Sequence, residues 1–187
     1  LRRVNIIYKT MKHFPNSYIA INFSNKFIFQ YFFLLARSIL NISILKNYDL
    51  FYKLLYVFLF SKKPVFGEKM FNILKRSKIL INTHIEDTEY AGNMRLFEGT
   101  GLGCLLLTDQ KKGLSDLFDI NKEIRTFTDE DNLINLCNYY LKNKLELEEI
   151  ANNGKLKTIK SHTYESRVSL LDQFIKNKVI NNYEKNL

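Results

Sequence analysis

With 187 residues, 46% of them hydrophobic and 25% charged, the chain fits one globular domain and has enough apolar mass to bury a real core. A formal charge of +9 and a pI near 9.4 invite a polyanionic partner, whether nucleic acid, an acidic membrane face or a nucleotide diphosphate. No block of about five or six like charges appears, so a chain-wide drift toward Lys, Asn, Ile and Phe explains the excess better than a dedicated patch.

From the amino end, Val4 to His13 carry helical spacing that Pro15-Asn16-Ser17 interrupts. Ser17 to Phe23 (SYIAINF) alternates apolar and polar residues as a short strand does. Residues 27 to 60 read as helical, with breaks expected at Asn41 and at Asn47-Tyr48-Asp49. A turn over Pro64 to Gly67 precedes a helix whose Met70, Phe71 and Leu74 share one face. Lys78 to Asn82 (KILIN) is an apolar strand that runs into Thr83-His84.

Asn93 to about Thr100 is a helix, Cys104 to Thr108 a strand, Ser115 to Phe118 a helical turn and Glu123 to Phe127 another strand. Thr128 starts a helix that runs to about Asn143, with Asp129, Glu130 and Asp131 on its positive end. Leu145 to Lys160 is helical despite Gly154, and Thr163 caps a last helix whose inward face is expected to hold Val168, Leu171 and Ile175. Strands alternating with helices predict an α/β domain on a parallel sheet, and no repeat or linker divides residues 1–187.

Two aromatic-rich runs, Phe27 to Ala36 and Leu54 to Phe60, raise the question of a membrane. Arg37 closes the first, Lys53 and Lys62 bracket the second, and both fall short of the ~18 to 20 uncharged residues a span needs. They read as buried helices, with peripheral membrane contact as the lesser alternative. Cys104 and Cys137 have neither metal-ligand spacing nor a disulfide framework, and read as small buried hydrophobes of a reducing, cytoplasmic compartment. The chain opens LRRVNIIYK, without an initiator Met or a small-residue cleavage site, the start expected of a piece of a longer protein.

The chemistry concentrates between His84 and Asp109. Gly99, Gly101 and Gly103 resemble a phosphate loop only superficially, because a dinucleotide fingerprint follows a strand and opens a helix, and these follow a helix and open a strand. They read better as helix termination by a left-handed Gly, with tight helix-to-strand packing. The helix opening at Asn93 is the better anion site. Asn93 is a good N-cap, and the amides of Met94, Arg95 and Leu96 are placed to meet a phosphate.

Glu98 lies in that helix among apolar or small residues, where an unpaired carboxylate is costly, so it needs a partner. A ligand hydroxyl and Arg95, one turn earlier, fit the spacing equally well. His84 could polarise a substrate or hold a phosphate, against the commoner role of a satisfied loop histidine. Thr108 and Asp109 end a strand at the expected pocket edge, where Asp109 also fits a turn-shaping role. His162, in SHTYESR, reads as a helix cap. No Ser/His/Asp set, metal-spaced cluster or paired carboxylates stand out, so no catalytic residue is assigned.

Taken in order, INTHIEDTEYAGNMRLFEGTGLGCLLLTD, GLSDLFDINKEIRTF, DEDNLINLCNYYL and EEIANNGKLKTIKSHTYESRVSLL resemble the nucleotide-binding half of GT-B glycosyltransferases, in particular the CgeB-like group of spore-maturation type. PVFGEKMFNILKRSKILIN upstream fits too, so the resemblance covers about residues 64 to 175. It implies a Rossmann-like parallel sheet flanked by helices, forming the carboxyl-terminal half of a two-domain enzyme. This half holds a nucleotide-diphosphate sugar, and an absent amino-terminal half holds the acceptor. No bound metal or other cofactor is expected, because helix amides and basic side chains stabilise the leaving diphosphate.

By the same resemblance, Glu98 matches the glutamate that hydrogen-bonds the nucleotide ribose. Asn93 and Met94 match the helix start that faces the diphosphate and sugar. Arg95 serves the phosphates or braces Glu98, and His84, in the N-x-H stretch, is a pocket contact. Many retaining relatives carry a second glutamate eight residues before the ribose-binding one. Tyr90 stands there, with Glu89 one place off, so neither retention nor inversion is assigned. Residues 1–63 match only loosely, and Arg2 and Arg3 read as solvent-exposed rather than phosphate-binding.

The expected function is transfer of a sugar from a nucleotide-sugar donor to a glycan, lipid-linked precursor or protein, with this chain binding the donor and inactive alone. The alternatives are a basic nucleic-acid-binding module, against which the lysines are scattered, and a degenerate transferase-like interaction domain, for which Tyr90 argues.

Overall fold

The computed structural model describes residues 2–21, 48–84 and 87–184. Phe23, the run Phe27 to Ala36 and the expected breaks at Asn41 and Asn47 lie outside them. The described residues fall into two compact units, one of Leu1–Met70 with Asp129–Asn135, the other of Phe71–Thr128 with Leu136–Leu187.

In the first unit, helix α1 (Arg2–His13) packs on helix α2 (Tyr48–Phe60). α1 buries Ile6, Thr10 and Met11, the helical spacing of a one-sided apolar stripe. Tyr8 stands edge-on to Tyr52 and Tyr56, with ring centroids 6.0 and 5.3 Å apart. Tyr48 and Asp49 open α2 rather than break it, since Asp49 sits in the first turn and pairs with Lys53 at 2.5 Å. Only part of the run Leu54 to Phe60 meets the expectation of burial. Val57 is buried, whereas Phe58, Leu59 and Phe60 are exposed. No helix among the described residues is long and apolar enough to cross a membrane.

The strand expected over Ser17 to Phe23 does not form within its described part. Exposure alternates from Ser17 to Ile21 as the pattern requires, but the backbone pairs at one point alone, Ala20 with Lys62. Alternation marks which side chains face inward; a strand also needs a neighbour along its length.

In the second unit, three strands form one parallel sheet in the order β1 (Ile79–Asn82), β2 (Leu105–Asp109), β3 (Arg125–Phe127). β2 is central and buried along its whole length, as a parallel strand covered on both faces must be, and so it reads as a continuous apolar run. Leu105, Leu106 and Leu107 are fully enclosed, each worth roughly 1.5–3 kcal/mol of burial. Leu96, Leu106, Leu114, Phe118 and Ile124 form the core cluster.

The connection from β1 to β2 carries helix α4 (Met94–Gly101), and helix α3 (Gly67–Arg76) leads into β1. Gly99 lets α4 lie against β1, since a Cβ there would stand 2.2 Å from the Leu80 side chain. Gly103, at φ +85°, turns the chain from α4 toward β2. Both fulfil the expectation for this glycine-rich stretch.

After β2 come a short helix α5 (Leu114–Leu117), β3, α6 (Glu130–Lys142), α7 (Lys144–Ser161) and α8 (Tyr164–Glu184). β3 starts later than the apolar pattern implies, because Asn121 takes φ +78° and the Glu123 amide bonds back to Asp119, closing a tight loop first. α7 packs on α4 and β2, and the hydroxyls of Thr158 and Thr100 meet at 2.6 Å between the helices.

Thr163 caps α8 as expected, its Oγ1 accepting from the Ser166 amide at 3.2 Å. The inward face expected for that helix is corrected. Val168, Leu171 and Ile175 are 62%, 57% and 50% exposed. Apolar spacing buries a face only where another surface meets it, and among the described residues α8 contacts α7 and lays Arg167 over the Phe97 ring near its start.

Candidate functional site

The parallel register sets the site. Asn82 of β1 lies directly beside Thr108 of β2, so both strands end at one edge, the carboxyl edge where open α/β sheets take their ligands. Asn82 Nδ2 donates to Thr108 Oγ1 at 3.0 Å. One residue further, Asp109 is buried and accepts twice on its Oδ1, from the His84 backbone amide at 2.9 Å and from His84 Nδ1 at 2.8 Å. A carboxylate oxygen only accepts, so Nδ1 carries the ring proton. The other ring nitrogen, His84 Nε2, is buried and has no hydrogen-bond partner among the described residues. An enclosed polar atom left in that state costs about 1–3 kcal/mol.

Helix α4 is tied to the same edge. Asn93 has an extended backbone (φ −71°, ψ 152°), and its Oδ1 accepts from the Leu96 amide at 3.3 Å, the N-cap expected from sequence. That bond removes Leu96 from the amides expected to meet a phosphate. Asn93 Nδ2 donates to Asn82 Oδ1 at 3.0 Å, so a side-chain chain runs from the helix start through Asn82 to Thr108. The positive end of an eight-residue helix is thereby held at the edge that carries His84 and Asp109.

Glu98 lies one turn into α4, its side chain 18% exposed, and accepts from Arg95 Nη1 at 2.5 Å. Of the two partners its spacing allowed, the folded helix uses Arg95. Met94 is exposed. Tyr90 is exposed and its backbone bridges Lys112, while Glu89 pairs with Lys112. His162 ends α7 as a cap, wedged between the rings of Phe97 and Phe118, with Nε2 donating to the Leu117 carbonyl at 2.8 Å. Burial pushes its pKa below the usual histidine value, partly offset by that carbonyl.

The pairing of His84 with Asp109, and of Asn82 with Asn93, is not readable from single segments. The available signal was positional: two adjoining parallel strands that both end in polar residues, N-x-H and T-D, bring those ends together. No group of three metal-ligating side chains occurs among the described residues. A hollow of about 180 Å³ lies at the opposite, amino edge of the sheet, lined by Ser77, Lys78, Gly103, Lys144, Leu147 and others. It touches none of the candidate residues.

A family described as Glycosyl transferase-like matches residues 57–173. No curated protein sequence matches the chain. Among solved structures, Anabaena HepE in complex with UDP-glucose superposes with a TM-score of 0.55 at 14% identity, over 71% of this chain and 36% of HepE. HepE in complex with UDP gives 0.54 at 13% identity, over 74% and 37%. The chain therefore spans little more than a third of the length of HepE.

Proposed function

The chain belongs to the glycosyl transferase-like family, and from that premise we propose that it binds the nucleotide-diphosphate-sugar donor of a sugar transfer, as the nucleotide-binding half of a GT-B enzyme. The observation that carries this reading is the meeting of a capped helix start with two polar strand ends at the carboxyl edge of a parallel sheet. HepE, which shares the fold, holds UDP-glucose and UDP.

In this reading the amides of Met94 and Arg95 meet the diphosphate, where a helix start favours negative charge. Glu98 exchanges its bond to Arg95 for one to a ribose hydroxyl, and Arg95 turns to the phosphates. His84 contacts the ligand, and Thr108 and Asp109 form the floor beneath it. Charge on the departing diphosphate is stabilised by amides and basic side chains, without a metal. The acceptor, whether glycan, lipid-linked precursor or protein, meets a second half outside this sequence, and both halves are needed for in-line transfer. The ordered motifs of residues 64 to 175 favour the CgeB-like group, and a cytoplasmic protein, free or at the membrane surface, fits that assignment.

Calorimetric titration with UDP, GDP and their sugars tests the proposal. At least one nucleotide binds, and Glu98→Ala weakens it, because loss of one good hydroxyl contact costs about 1–2 kcal/mol. Unchanged affinity in that variant removes Glu98 from the site, and silence from every nucleotide removes the function.

A further inference from the structure

The two nitrogens of His84 are unequally employed. Nδ1 and the backbone amide both donate to Asp109 Oδ1, which locks the ring and places its proton on Nδ1. A ring with its one proton on Nδ1 keeps a bare lone pair at Nε2, and that atom is buried and unpaired among the described residues. Such a nitrogen can accept from a hydroxyl and has no proton to give a phosphate oxygen. The contrast within the same unit is His162, whose Nε2 is spent on a backbone carbonyl.

Position narrows the partner. If the diphosphate meets the start of α4 and the ribose meets Glu98, the base and the sugar are the remaining parts of the donor, and of these the sugar is the one that carries hydroxyls. The Asn93–Asn82 bond joins that helix start to the strand end two residues before His84. Resting on the donor-binding reading above, we propose that His84 Nε2 receives a hydrogen bond from a hydroxyl of the donor's sugar ring, with Asp109 as the positioning residue that fixes the nitrogen for it. The sugar hydroxyl supplies the donor that the side chains of the described residues do not.

The test compares affinities for UDP and UDP-glucose, and for GDP and GDP-mannose, in the wild type and in variants. Wild type binds one nucleotide sugar more tightly than its bare nucleotide. His84→Phe, which fills the ring's place without a nitrogen, weakens the sugar-bearing ligand about five- to tenfold and leaves the bare nucleotide unchanged. Asp109→Asn reduces the same preference, and adds nothing when combined with His84→Phe, because it acts through that ring.

Equal losses for nucleotide and nucleotide sugar would make His84 a phosphate contact and overturn the proposal. An unchanged preference would make it a structural residue satisfied by water, and would overturn the proposal as well. Should His84→Phe not fold, His84→Gln is titrated with analogues lacking one sugar hydroxyl at a time. A single analogue must then be indifferent to His84→Gln, and the absence of any such analogue overturns the assignment. A wild type that binds no nucleotide fails at the donor-binding reading itself, before any variant is compared.

Discussion

Asn93 Nδ2 and Asn82 Oδ1 stand 3.0 Å apart, and through this bond the cap of a helix becomes a strut to a strand. The same side chain caps α4 with its oxygen and holds β1 with its nitrogen. An amide is the side chain that offers both an acceptor and a donor at this reach; Ser or Asp in its place would cap but not donate the second bond in the same geometry.

Asn93→Ala is therefore expected to cost about 1–2 kcal/mol, more than Asn93→Asp, which keeps the cap. Chemical denaturation measures the difference. Unchanged stability in Asn93→Asp would show that the strut to Asn82 contributes nothing, and equal losses in the two variants that the cap adds nothing to it. Nucleotide affinity, followed in parallel, should fall further in Asn93→Ala than in variants of the half-buried Arg2 or the exposed Arg3.

Gly154 sits in the middle of α7, where alanine is ordinarily the better helix former by about 1 kcal/mol. Here the order is reversed by packing. A Cβ at Gly154 would lie 2.4 Å from the backbone oxygen of Glu123, an atom that cannot rotate away. Gly154→Ala should lower stability by about 1–3 kcal/mol. A Tm equal to or above that of the wild type would show that α7 can move off the loop before β3 without penalty.

Cys104 and Cys137 are buried, and burial pushes their thiols up to about 11 and about 12. The thiolate is the reactive form, so at about pH 8 almost none is present in the folded protein. A thiol-specific chromogenic reagent should label neither cysteine under native conditions and both in denaturant. Labelling of one residue within minutes in the native state would contradict its burial.

His162 has a folded-state pKa below the usual value of 6.5, because burial between two aromatic rings disfavours the charged ring. The unfolded chain therefore takes up a proton first as pH falls. Between the unfolded and the lower folded value it binds more protons than the native state, so stability decreases with falling pH. The contribution is complete above about pH 7 and is lost progressively below about 6.5. The drop in Tm from about pH 7 to about pH 5 should be smaller in His162→Gln than in the wild type. An identical drop in both proteins would assign the acid sensitivity to other groups.

Much of the carboxyl-terminal fold was legible because its signals are local. Asn93, Gly103 and Thr163 announce where helices start or stop through their own side chains or backbone freedom, and the Leu105–Leu107 run declares a strand covered on both faces. The resemblance of the ordered motifs pointed to a glycosyltransferase fold, and the parallel sheet and the family match agree with it.

What the chain alone could not decide was which polar groups would meet. Glu98 had two candidate partners, a ligand hydroxyl and Arg95, and the folded helix pairs it with Arg95. His84 and Asp109, 25 residues apart, become partners only because β1 and β2 lie parallel and in register. α8 has the pattern of a buried helix and lies exposed, because an apolar face is a property of sequence and its burial a property of neighbours. Hydrogen bonds between distant segments depend on distances of a few tenths of an ångström, which only the packed sheet sets; caps and apolar runs depend on residues already adjacent along the chain.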